Sequence, residues 1–220
     1  MLFDLLTLAD SNLPAGGYAF SSGLEAASHL GLLSSSDHLS AYLSTAIHNT
    51  AQSELPFIQS CHTNELSYLD DMLATYDAML TTQTMAQASA VQGRNLIRIM
   101  NTLYPSDAMT KLRQMLIKHS LPAHHTIVYG TTFHVAGFAL LQSKKVFMYQ
   151  VLRDQMSAAV RLGIIGPMEA AQIQKQHHQT CEMAIHQTMD TPYTQATRSA
   201  PQIDITQSFH QHLYSRLFQS

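Results

Sequence analysis

Residues 84–103 read TMAQASAVQGRNLIRIMNTL, and Met85, Ala88, Gln92, Leu96, Ile99 and Leu103 recur there at spacings of three and four. That period lays one stripe along an α-helix, whereas on a strand the same residues would scatter over both faces. The Thr81-Thr82 pair just upstream offers an N-cap, and Tyr104-Pro105-Ser106-Asp107 supplies a stop followed by a new cap. Gly93 stands inside the stripe. An interior glycine costs about 1 kcal/mol relative to alanine, so its presence asks for a packing or functional reason.

The same period extends in both directions. Toward the N-terminus, residues 64–81 carry Leu66, Leu69, Leu73, Tyr76 and Leu80, and residues 38–50 carry Leu39, Leu43, Ala46 and Ile47 behind a Ser34-Ser35-Ser36-Asp37 break and N-cap. Pro56 opens or interrupts the segment between them. The first ten residues form a short apolar helix, Pro14 with Gly16-Gly17 enforces a turn, and a second helix starts near Ser21 or Ser22. Toward the C-terminus, 108–119 is a short amphipathic helix. Residues 127–141 and 146–162 are apolar nearly all round, with Lys144-Lys145 between them, and belong in a core. Gly163 and Gly166-Pro167 break the chain before a helix over 168–189. Residues 190–201 read as a polar loop, and over 202–220 Ile205, Phe209, Leu213 and Leu217 at strict four spacing extend a last helical stripe almost to the end. No alternating stretch and no internal repeat is found. The expectation is an all-α chain, 1–220, forming a single-domain bundle of about ten helices.

Composition narrows the function. Only 12% of the 220 residues are charged while 45% are hydrophobic, and 13 His stand against 12 Lys plus Arg at a formal charge of −3. A chain without basic excess lacks the footprint that phosphate neutralisation needs, so nucleic acid is not expected as a partner. Cys61 and Cys181 are the two cysteines and form no CxxC unit. With no disulfide framework, no basic n-region before the early apolar residues, and no long uninterrupted apolar run, the expected location is the cytoplasm, with no membrane span.

Histidine abundance invites a metal reading. His178, Glu182 and His186 lie at i, i+4 and i+8 on the helix over 168–189, and His177 lies four before Cys181. Two turns of one helix cannot wrap a metal alone, so the alternative, a helical nickel-binding carrier or metal-dependent enzyme, needs further ligands from elsewhere. There is no GxSxG, HExxH or GxxxxGK[ST] run, so the sequence offers no catalytic residue and no P-loop, and no cofactor is expected.

The run LADSNLPAGGYAFSSGLEAA, residues 8–27, resembles the N-terminal signature of the UreF-type urease accessory proteins. Further blocks agree in order: Ala88-Ser89 with Gln92-Gly93 and Leu96, then Ala158 to Gly163 (AAVRLG), then Phe209 to Ser220 (FHQHLYSRLFQS). The resemblance implies an all-α, non-enzymatic maturation factor in nickel insertion. Such proteins bridge the UreD/UreH scaffold and the GTPase UreG, regulate the GTPase, and serve the urease apoprotein as homodimers within the complex. By the same resemblance Tyr18 and Arg161 match positions near the GTPase-facing surface, and Arg216 matches a tail position used against UreD/UreH. Phe20 joins Tyr18 as an interface candidate, and Phe209, Leu213, Tyr214, Leu217 and Phe218 join Arg216. The chain departs from the family pattern at Ala86-Gln87, where many members have Arg-Glu, at Pro167 for Gln, and at Gln211 for Glu. On physical grounds alone the terminal stripe is covered either by its own bundle or by a partner.

Overall fold

A computed structural model describes residues 2–14, 17, 20–63, 66–118, 120–214 and 216–218. The described residues form α-helices and short 3₁₀ turns with no strand. In chain order they are α1 (Leu2–Leu8), α2 (Leu24–His29), α3 (Ser36–Ser53), α4 (Leu55–Thr63), α5 (Leu69–Met79), α6 (Gln83–Leu103), α7 (Asp107–Lys118), α8 (His125–Val135), α9 (Leu140–Arg161), α10 (Pro167–Gln187) and α11 (Pro201–Phe209). Most of the expected caps are made. Ser35 Oγ accepts the His38 N–H at 3.2 Å, Thr82 Oγ1 accepts Met85 N–H at 3.2 Å, and Ser106 Oγ accepts Met109 N–H at 3.0 Å. Each satisfies an N–H that the first turn of a helix leaves without a partner.

α8 is the axle of the bundle. It packs against α4 on one side and α6 on the other, while α10 lies across α9 and α3. Ile127, Val128, Tyr129 and Phe133 of α8 are buried all round, as an apolar helix in a core should be. Gly93 is the reason α6 can approach: a Cβ there would lie 1.9 Å from the Ala123 carbonyl oxygen, just before α8 begins. The glycine removes a side chain where the backbones meet, which outweighs its poor helix propensity.

The structure moves one boundary. The apolar run from 127 does not continue to 141 as one helix; it ends at Val135, and Gly137 adopts φ +83°. Phe138 N–H then bonds the Phe133 carbonyl, the six-to-one bond of a Schellman turn. Lys144-Lys145 is correspondingly not a break but lies within α9. Lys144 is fully buried, and its ammonium donates to the carbonyls of Thr188 and Met189 at 3.0 and 3.2 Å, closing the C-terminal end of α10. A cation suits that end of a helix, although burial brings the lysine down to about 8.

The expected terminal helix is also shorter than the stripe suggested. α11 stops at Phe209, a 3₁₀ turn covers His210–His212, and Leu213 is extended at φ −69°, ψ 132°. Ahead of α11, residues 190–200 are the expected loop, but it is stitched to the bundle rather than free. Asn49 Oδ1 accepts the N–H groups of Ser199 and Ala200, and Tyr193 is buried against Phe57.

Candidate functional site

α11 and the residues after it divide sharply by face. Ile203, Thr206, His210, Leu213 and Phe218 are buried, whereas Ile205, Phe209, Leu217 and above all Tyr214 are exposed, the last completely. The helical stripe named from sequence is therefore split: Leu213 turns inward, and its companions Ile205, Phe209 and Leu217 face solvent. Arg216 is also exposed. Large apolar side chains left outside on a chain so poor in charge make this face a candidate interaction surface.

The tail is held down from α2 and α9. Glu25 is 1% exposed; its Oε2 accepts from His210 Nε2 at 2.7 Å and its Oε1 accepts the Leu217 N–H at 2.6 Å. The Arg161 guanidinium lies 4.1 Å from the centre of the Phe218 ring, a cation–π contact. Three signature blocks distant in sequence thus meet at one place, and Arg161 and Phe218 act within the chain there. Phe20 is buried and lines a cleft, so it supplies packing. Tyr18 lies outside the described residues.

That cleft, of about 180 Å³, lies among α3, α6, α9 and α11, and Glu54, Tyr76, Thr126, His125, Gln155 and Arg198 are in its wall. Three of its ionisable groups, Glu54, Tyr76 and Arg198, are engaged with one another. Glu54 accepts from the Tyr76 hydroxyl at 2.5 Å and from Thr126, and Arg198 lies 3.5 Å from it while bonding Asp204 at 2.7 Å. Desolvation and the Glu54 carboxylate hold the Tyr76 phenol well above its usual value. Such a set fastens the α3–α4 junction, α5 and α8 to the segment before α11 and leaves none of its members poised for acid–base work. Sequence reasoning placed Tyr76 only on an apolar stripe and did not single out Glu54 or Arg198, because their meeting is wholly tertiary.

His125, stacked on Phe147, is pushed down to about 4 by burial. Its unfolded value is near 6.5, so between about pH 6.5 and 4 the unfolded chain takes up a proton that the folded chain refuses. Stability is therefore lost as pH falls through that window. His125→Phe, which keeps a ring on Phe147, should show a flatter pH dependence of its urea midpoint over the same range; parallel curves would refute this.

The metal alternative gains no support. His178 and His186 are exposed on α10, and the Glu182 carboxylate pairs with Lys145 at 2.8 Å. His177 is buried and bonded to Ile173 O and to Ser40. Among the described residues no three His, Cys, Asp or Glu side chains are grouped as a metal ion requires. No described helix is long and apolar enough to cross a membrane.

The described residues thus form an all-helical fold with large apolar side chains exposed along its C-terminal tail. The family model described as UreF matches residues 33–178. The chain belongs to the UreF family of urease accessory proteins. It is 32% identical over 219 residues to urease accessory protein F of Oryza sativa subsp. indica, covering 96% of this chain and 82% of that one. The corresponding protein of Arabidopsis thaliana is 32% identical over 214 residues, with 96% and 89% covered. Urease accessory protein UreF of Trichodesmium erythraeum is 24% identical over 223 residues, with 97% and 94% covered.

Proposed function

We propose that this chain is a non-catalytic adaptor of urease maturation that bridges the UreD/UreH scaffold and the GTPase UreG. In this reading it works in the cytoplasm as a homodimer within the complex, carries no cofactor of its own, and couples GTP hydrolysis to nickel delivery to the urease apoprotein. The observation that carries the reading is the tail: Tyr214 and Leu217 are turned outward while His210, Leu213 and Phe218 are anchored inward. Solvent-facing aromatic and aliphatic groups on a held backbone lose little conformational entropy on binding, which is what an interface anchor needs.

The test is co-purification and titration of the full chain with its own UreD/UreH and UreG, with and without GTP. Changing Tyr214 and Leu217 together to Asp touches only exposed side chains, so the helical fold should persist. Affinity for UreD/UreH should fall at least about tenfold, or roughly 1.4 kcal/mol. Undiminished binding by that variant would overturn the assignment of the tail. A stoichiometric, submicromolar nickel site abolished by His178→Ala with His186→Ala would instead favour the carrier reading.

A further inference from the structure

We infer that Glu25 is the positioning residue that seats the C-terminal tail, and that through this seat it sets how Tyr214 and Leu217 are offered to a partner. The offering rests on the adaptor reading above; the seat itself does not. One buried carboxylate spans the tail by gripping the His210 ring with one oxygen and the Leu217 amide with the other. The intervening chain must leave the helical path, since Leu213 is extended immediately after the 3₁₀ turn at His210–His212. With both ends fixed, Phe218 falls inward beneath Arg161 and Leu217 faces out.

The chemistry of the seat is directional. His210 is fully buried, and its Nδ1 has no hydrogen-bond partner while Nε2 faces the carboxylate. The geometry therefore requires the proton on Nε2, since a proton on Nδ1 would be buried without an acceptor. Glu25 must then accept one N–H donor on each of its two oxygens, which a carboxylate does, whereas an amide in its place would turn an NH2 donor toward one of them. Glu25 itself is placed by α2, whose start at Leu24 follows Gly23 and Ser22. The residues that fix the start of α2 thereby fix the end of the chain.

Trypsin cleavage after Arg216, followed on the full-length protein by intact mass, reads the seat directly. Glu25→Ala and His210→Leu should each accelerate that cleavage at least about tenfold, because the Arg216–Leu217 bond is then free to enter a protease. His210→Gln, whose amide nitrogen can replace the Nε2–H donor, should cleave at close to the wild-type rate. The ring nitrogen shifts of His210 should report an Nε2–H imidazole in the wild type. In the scaffold titration, Glu25→Ala and His210→Leu should lose affinity while His210→Gln keeps it, and helix content should be unchanged. Either disrupting variant suffices if the other does not fold. Unchanged cleavage in a folded disrupting variant would overturn the seat, and faster cleavage with full affinity would overturn its role in presentation. Wild-type protein that resists cleavage yet ignores the scaffold would sink the adaptor reading and leave the seat standing.

Discussion

Gly93→Ala is expected to destabilise the protein by about 3 kcal/mol, at the upper end of what overpacking costs. Helix propensity alone gives the opposite sign, a gain of about 1 kcal/mol for alanine in a helix interior. Tertiary contact decides against it, because the new methyl would stand 1.9 Å from a backbone carbonyl, that of Ala123. A side chain could swing aside, but this oxygen can move only if the turn into α8 moves with it. α8 packs between α4 and α6, so the displacement reaches the centre of the core. For a chain of this size the loss corresponds to a fall in melting temperature of roughly 6–12 °C, measurable by calorimetry or circular dichroism. An unchanged or raised midpoint would show that α6 and α8 do not approach as described.

Removing the Arg198 side chain is the second large effect. Its guanidinium stands between Glu54 at 3.5 Å and Asp204 at 2.7 Å, and all three side chains are only 12–13% exposed. Arg198→Ala leaves two carboxylates without their cation in a poorly hydrated place, which costs about 3 kcal/mol. Much of that penalty is the stranded charge of Glu54, so adding Glu54→Gln should recover part of it. The amide can still accept from the Tyr76 and Thr126 hydroxyls. Urea midpoints of the two single variants and the double variant would form a thermodynamic cycle, and strict additivity would refute the coupling. Asp204 lies in α11, so Arg198→Ala should also loosen the tail and weaken scaffold binding.

Much of the fold is legible in local chemistry. Caps at Ser35, Thr82 and Ser106 are one-residue signals, and each produced the expected start. The stripe of 84–103 became α6, and the apolar content of 127–135 placed α8 in the core. Lys144 misled because two adjacent charges resemble a surface break, whereas its ammonium finds the last carbonyls of α10 inside the bundle. Gly137 was the available signal for the true break, as a glycine just past an apolar run permits the left-handed turn that ends a helix.

The terminal stripe shows the limit. Ile205, Phe209, Leu213 and Leu217 hold a perfect helical spacing, yet Leu213 is 9% exposed and Leu217 61%. Periodicity measures what a helix would do if nothing outside it competed. Here Glu25, far away in sequence, bonds both His210 and the Leu217 amide where the chain has left the helical path.

The sequence by itself determined the all-helical class, most of the helix starts, the absence of a P-loop or nucleophile motif, and a family resemblance carried by blocks at both ends. Those properties are written in residue spacing and side-chain type, which act over a turn or two. Only the tertiary structure decided that the blocks meet, that Gly93 exists for a backbone crossing, that Glu54 and Arg198 neutralise one another, and which tail residues face water. Burial and charge pairing depend on what stands opposite a residue, and neighbours in sequence do not contain that information.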